Sequence, residues 1–389
     1  MTHIRDAIHG YLELNDEEKQ LIDSPQVQRL RRVRQLGLSS LVYPSATHTR
    51  FQHSLGVMHL AGEFADSLEL DEKRTRELRI AGLLHDSGHG PFSHASEFVA
   101  EKQGLSHEDL SCRKVDELED KFSVDAERVK KIIRGELEIG QAVAGDIDAD
   151  RMDYLMRDAH SSGLEHGNID TATIIRLAEI DSRRLVFDEK AVQALESLFT
   201  ARFHMIRSLY GHHTSNLAEK MLQRSLEDHT DEVENLMTLD DYEAHTELLK
   251  SGGTAEKLYR RIKDRRLFKR ALVWNDDDIP REALGSLEKR IENPRAIEQK
   301  IADDADVKSH EVIIDRPGTP DIQDIDVKIK KDGKVENLSD SSPIIGSLAE
   351  AEWRMVAMKV YSPEEKQEEV KKAAEKILKD YTSVLEGYM

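Results

Sequence analysis

The sequence predicts a mainly α-helical protein with a small C-terminal α+β lobe. Three observations carry this. Apolar residues recur at helical spacing through most of residues 16–270. Capping residues stand at several of the expected helix starts. Apart from residues 8–14, strand-like runs gather after about residue 308.

Residues 8–14 read as a short strand-like segment around a His9-Gly10 turn. Residues 16–36 are helical in pattern, with Asp16 as the first cap and Ser24-Pro25 as a second start, proline taking the first helical position. Helices follow at 53–70, where Leu55, Met58 and Ala61 share a face, and at 74–84. A Gly- and His-rich loop spans 85–94. Further helices are expected at 106–122, 124–134, 140–160 and 189–227, with a charged helical stretch at 228–270. Residues 311–314 and 324–329 read as strands, Lys331-Asp332-Gly333-Lys334 as a turn, and 364–385 as a final amphipathic helix. A helical domain at 1–290 and an α+β lobe at 291–389 are therefore predicted, the lobe regulatory or oligomer-stabilising.

The composition is globular: 38% hydrophobic and 34% charged residues. A net charge of −20 argues against broad nucleic-acid binding, so a polyanionic substrate needs a local basic pocket. The single cysteine, Cys112, excludes an internal disulfide and a CxxC metal motif and fits a reducing compartment. The N-terminal residues carry no apolar signal region, and no apolar run approaches the roughly 18 residues of a membrane span. A cytoplasmic location is expected.

Three clusters carry chemistry. His85-Asp86 ends the apolar run of Ile80 to Leu84, where a carboxylate needs a partner; imidazole and carboxylate together suit borderline divalent metals. His89, His94 and His107 lie close by in sequence. In the second cluster, Asp150, Tyr154 and Asp158 are spaced by four and form one helical stripe flanked by Arg151 and Arg157. Spacing leaves open which of Asp146, Asp148, Asp150 and Asp153 binds metal. In the third, His53 opens a helix just after Arg50, whose guanidinium fork matches phosphate oxygens.

RFQHSLGV at 50–57, GLLHDSGHGPFSH at 82–94 and DIDADRMDYLMRDAHSSG at 146–163 resemble the HD-domain deoxynucleoside triphosphate triphosphohydrolases. DAIHGYLEL at 6–14, IDSPQVQRLRRVRQLG at 22–37 and LFTARFHMIRSLYGHH at 198–213 extend the likeness over residues 6 to about 270. It is greatest to the vertebrate branch that carries a sterile-alpha-motif domain, a domain not expected here. The resemblance implies an HD-domain helical core. It implies that His53, His85, Asp86 and Asp150 bind one divalent metal (iron, manganese or zinc), with Mg²⁺ on the substrate phosphates. His89 and His94 are implied to face the α-phosphate, and His107 to pair with Glu97, where the vertebrate branch has aspartate. Arg50, Arg151 (lysine in that branch) and Arg202 are implied to contact the triphosphate. Gln35 and Asp158 are implied to hold the 3′-hydroxyl, with Leu36, Tyr154 and Tyr210 around the sugar.

The reaction so implied is hydrolysis of dNTPs to deoxynucleoside and tripolyphosphate by metal-activated water at the α-phosphorus. His94 is the preferred general acid. Asp23, Gln28 and Arg31 match a guanine-nucleotide or dNTP activator site in an oligomer, tetramer or dimer. That site's basic residue near the N-terminus is missing, Thr2 standing in its place. Competing readings are an HD-domain hydrolase of another phosphoester and a non-catalytic nucleotide sensor. No Gly-Tyr-Pro tripeptide and no Walker P-loop occurs in the sequence.

Overall fold

The computed structural model describes residues 2–229, 232–318, 322 and 325–382. The fold is mainly α, with three small sheets among the described residues. Two compact units emerge. One comprises 1–211, 230–247 and 325–345; the other comprises 212–229, 248–324 and 346–389. They interleave along the chain, where composition predicts one boundary near residue 290. Composition registers a change of texture, not which segments pack together.

The first unit opens with a hairpin of β1 (Thr2–Asp6) and β2 (Gly10–Leu14). Its first strand is absent from the sequence reading. Asn15, not Asp16, caps α1 (Asp16–Ile22), through a capping box with Glu18. Ser24 caps α2 (Pro25–Arg29) as expected, and the expected helix stops there, giving way to one 3-10 turn and an irregular run.

The centre of the unit is α3 (Arg50–Ser67), which is buried along most of its length. It packs against α4 (Glu72–Leu84). A Cβ at Gly82 would meet the Val57 carbonyl and the Met58 backbone at 3.1–3.2 Å, so glycine is what permits this closeness. The loop of 85–93 is wholly buried and leads into α5 (His94–Glu101). α6 (His107–Glu117) and α7 (Ala126–Ile133) follow.

The expected helix at 140–160 is a 3-10 turn, Glu138–Ala142, and then α8 (Ala149–Ser162). Asp148 caps α8, and Gly163 closes it at φ 74°. α9 (Thr171–Arg176) precedes a hairpin absent from the sequence reading, β3 (Ala178–Asp181) and β4 (Arg184–Asp188). Strand Lys328–Lys331 joins β4 in parallel and pairs with Lys334–Asn337 across the expected turn. The first part of the strand expected at 324–329 thus lies outside that strand, and residue 324 lies outside the described residues. The long helix expected at 189–227 is α10 (Val192–Met205), a π turn at Ile206–Tyr210, and a separate helix, His213–Glu227.

The second unit has its own three-stranded antiparallel sheet, in the order Lys269–Trp274, Met358–Ser362, Ile313–Asp315. Helices Arg281–Arg290, Pro294–Ala305 and Gln367–Thr382 contribute to its core with Leu284, Leu287, Ile301, Val370 and Leu378. Residues 383–385 of the expected last helix lie outside the described residues.

Candidate functional site

His53 on the first turns of α3, His85 and Asp86 at the end of α4, and Asp150 on the first turn of α8 converge. Ligand atoms of His53, His85 and Asp86 lie within 4.8 Å of one another. Oδ1 of Asp150 lies 2.8 Å from His53 Nε2 and 3.7 Å from His85 Nε2.

Each histidine is oriented from behind. His53 Nδ1 is 2.7 Å from Asp153 Oδ2, and His85 Nδ1 is 2.8 Å from the Gly82 carbonyl. Both partners only accept, so each ring donates from Nδ1 and turns Nε2 inward. Both Nε2 atoms are buried and lie against carboxylates, His53 on Asp150 at 2.8 Å and His85 on Asp86 at 3.4 Å. Two inward imidazole nitrogens among two carboxylates fit a divalent cation, and carboxylate or carbonyl support behind a ligating imidazole is the usual arrangement.

The acidic cluster is sorted by the fold. Asp148 accepts from Gly145 and Arg151 backbone N–H groups as a cap, and Asp146 accepts from the Asp326 N–H. Asp153 is fully buried and accepts from His53, His9 and Arg157. Burial works against its charge, but Arg157 and the two histidines outweigh that and hold its pKa well below the ordinary range. Asp150 is left facing the histidines. Sequence reasoning missed Asp153 as an orienting group, together with His9, Arg157 and Asp6, which pairs with Arg157 at 2.8 Å. Carboxylates at i and i+3 look alike along a chain; only the packing against α3 distinguishes them.

Arg50 donates through Nε to Ser93 Oγ at 2.7 Å and through Nη1 to Asp86 Oδ2, leaving Nη2 buried without a partner. Arg151 leaves Nε and Nη1 in the same condition. Arg202 is buried. Further along the α8 stripe, the Tyr154 and Tyr210 rings meet edge-on at 6.1 Å, and Tyr210 donates to Asp158 Oδ2 at 2.8 Å. Burial raises the pKa of both phenols. Gln35 is buried with Oε1 unpartnered. Leu36 follows it in the irregular run that precedes α3.

The loop histidines form a second group. His89 stacks on His107 with ring centroids 4.2 Å apart. Glu97 joins His107 and His94, the latter at 3.1 Å. Burial opposes the Glu97 charge, but hydrogen bonds from both rings hold its pKa far below the ordinary range. Burial, with Arg50 and His107, pushes His89 down to about 3, which keeps that ring neutral. His94 is the outermost, its side chain 63% exposed.

The loop is held in an uncommon shape. Phe92 and Ser93 have φ of 59° and 50°, the left-handed region that non-glycine residues rarely adopt. Arg29, also missed from sequence, donates to the carbonyls of Ser87, His89 and Leu239. Asp241 accepts from the Phe92 and Arg34 N–H groups. Ser111 bridges the Gly88 N–H and the His85 carbonyl. A Cβ on Gly88 would strike the His107 carbonyl and the Ser111 nitrogen. Gly88→Ala is therefore expected to push α6 and His107 away from Glu97. A shift near 1 Å is expected to reduce turnover about 100-fold; steady-state kinetics with the thermal midpoint checks it, and full activity would exclude this packing.

Asp23 is the exposed residue that ends α1, and Gln28 and Arg31 are in contact beyond it. Gln28 donates to the Ile22 carbonyl, Arg31 donates to Gln28 Oε1 at 2.9 Å, and the Arg31 guanidinium covers the Phe51 ring at 3.6 Å.

An HD domain matches residues 50–158, and an HD associated region matches residues 169–382. An uncharacterized protein of Methanocaldococcus jannaschii is 34% identical over 395 residues, covering 98% of this chain and 84% of that protein. The SAMHD1 homolog of Dictyostelium discoideum, a deoxynucleoside triphosphate triphosphohydrolase, is 35% identical over 245 residues, covering 56% of this chain; the chain spans about half of that protein, 48%. A phosphohydrolase structure from Bacteroides thetaiotaomicron superposes with a TM-score of 0.75 at 28% identity, covering 93% of this chain and 100% of that one.

Proposed function

Because the chain belongs to the HD-domain phosphohydrolase family, with an HD domain and the HD-associated region after it, we propose that it hydrolyses 2′-deoxynucleoside triphosphates to deoxynucleoside and tripolyphosphate. One observation carries this reading. Gln35 Oε1, Arg50 Nη2, His89 Nδ1 and Arg151 Nε and Nη1 are all buried and without partners, beside the inward Nε2 atoms of His53 and His85. Buried polar groups are nearly always hydrogen-bonded, so such a set marks a ligand that brings a cation, anionic groups and a polar body. The reaction in the Dictyostelium relative's name supports the choice of substrate.

In this reading His53, His85, Asp86 and Asp150 hold one divalent iron, manganese or zinc ion, and Mg²⁺ accompanies the substrate phosphates. The bound cation supplies Lewis acidity, lowering the pKa of water and polarising a phosphoryl oxygen. Arg50, Arg151 and Arg202 bind the triphosphate and neutralise charge developing on it. The nucleoside 5′-oxygen is a poor leaving group, and His94 gives it a proton. Glu97 takes His94 Nδ1 and so leaves Nε2 for that transfer, while its other oxygen holds His107. His89 lines the α-phosphate pocket as a neutral ring. Gln35, Leu36, Tyr154, Asp158 and Tyr210 enclose the sugar. Asp23, Gln28 and Arg31 form an activator site for a guanine nucleotide or dNTP in a dimer or tetramer of this cytoplasmic enzyme, and residues 291–389 serve regulation or assembly.

The test is to incubate Mn²⁺- or Fe²⁺-loaded protein and Mg²⁺ with each dNTP and rNTP, singly and mixed, and to separate products by ion exchange. Deoxynucleoside with tripolyphosphate is expected. Orthophosphate or a monophosphate product would place the cut elsewhere, and turnover only in mixtures would support the activator site.

A further inference from the structure

We infer that His9, on the turn of the N-terminal hairpin, is a positioning residue of the metal centre, so that seating of the hairpin and loading of the cation reinforce one another. The inference rests on the metal-dependent reading above.

Residues 7–9 form the turn between β1 and β2. Asp6, the last residue of β1, shapes that turn: its Oδ1 accepts from the Ile8 and His9 N–H groups at 2.9 and 3.0 Å. Asp6 is also the one buried residue of β1, so the hairpin is anchored by its turn and by Leu12 and Leu14 of β2. The His9 side chain is buried, 7% exposed, and its Nε2 lies 2.7 Å from Asp153 Oδ1. A carboxylate only accepts, so Nε2 donates.

Asp153 is the carboxylate behind His53. A carboxylate offers about four lone-pair sites, and Asp153 has a donor for each. Its Oδ2 takes His53 Nδ1 at 2.7 Å and Arg157 Nε at 2.9 Å. Its Oδ1 takes His9 Nε2 and, at 2.9 Å, Arg157 Nη2. Arg157 in turn binds Asp6, at 2.8 Å through Nη1 and 3.1 Å through Nη2. A closed ring results: from the hairpin turn to Asp153, from Asp153 to Arg157, and from Arg157 back to the turn. Gly56 on α3 leaves room for it, since a Cβ there would strike Asp153 Oδ1 and Arg157 Nη2. The plane of the Asp153 carboxylate sets the direction of the His53 ring, and His9 is one of the groups that fix this plane. Without His9 the Oδ1 edge is held by Arg157 alone, and the freedom gained there reaches His53. Coupling between two binding events is reciprocal. What the seated hairpin adds to cation affinity, the bound cation returns to the hairpin.

The experiment titrates metal-free wild type, His9→Ala and His9→Gln with Mn²⁺ by calorimetry, and follows hydrogen exchange of residues 2–14 with and without Mn²⁺. The glutamine amide reaches the position of ring Nε2 and still donates to Asp153. His9→Ala is expected to bind Mn²⁺ about tenfold more weakly, the low end of the loss when a partner behind a metal ligand is removed. His9→Gln is expected to recover most of that affinity, a rescue that restored packing alone would not give. In wild type, Mn²⁺ is expected to slow exchange across the hairpin, and in His9→Ala that slowing is lost. Unchanged Mn²⁺ affinity in His9→Ala would overturn the inference. So would equal weakening in both variants, which would assign the loss to packing against the His59 ring, 5.2 Å from that of His9. Hairpin exchange indifferent to Mn²⁺ in wild type would overturn the linkage without any variant. A wild type that binds none of Mn²⁺, Fe²⁺ and Zn²⁺ would instead remove the metal-dependent reading, and this inference with it.

Discussion

Replacing Asp86 or His85 with alanine is expected to strip the divalent cation from the protein and reduce turnover below detection. The two inward Nε2 atoms and two carboxylates form a site in which each member compensates another. In the cation-free protein, burial disfavours the charged ring of His53, but Asp150 and Asp153 outweigh it and push the pKa up to about 10. A cation therefore displaces a proton from His53, and its affinity falls as pH drops. Removing Asp86 also leaves Arg50 without its ion-pair partner and His89 without the carboxylate 3.3 Å from its Nε2. Elemental analysis of purified variants, with product assays, checks this; an alanine variant that stays metal-free and fully active would exclude a metal-dependent reaction at these residues.

The second large effect is expected at Asp153, which binds no ligand in this reading. Asp153→Ala removes the acceptor for His53, His9 and Arg157 together and leaves cationic Arg157 with Asp6 alone. Breaking a buried ion pair by deleting one partner costs about 3–5 kcal/mol. Chemical denaturation should show a loss of that size. Asp153→Asn keeps the shape but takes away the charge behind His53, so metal affinity should fall about 10- to 100-fold. A change below about 1 kcal/mol in the alanine variant would show that Arg157 and His53 are held by other means.

Helix α3 was legible in the sequence because its apolar spacing and a family motif coincide. The break at Ile206–Tyr210 was not, since a π turn keeps the apolar pattern running while it rotates the following face. Strand β1 and the hairpin at Ala178–Asp188 escaped because short strands are decided by a partner strand, and partners do not appear in a local pattern. Among the site residues, the pairing of His107 with Glu97 and the closeness of Tyr210 to Asp158 match what the resemblance implies. Arg29, His48 and Asp241 carry no motif of their own. Each acts through a bond to a residue more than 50 positions away, such as Arg29 to His89, His48 to Asp158 and Asp241 to Phe92.

The sequence by itself determined the helical class, the acidic surface and the residue types able to hold a metal and phosphates, because periodicity, charge and motif spacing are local properties. Tertiary structure alone decided which aspartate faces the histidines, which one orients His53, and which ring nitrogens turn inward. Those depend on hydrogen bonds between α3, α4 and α8, and the direction of a side chain is set by what packs against it.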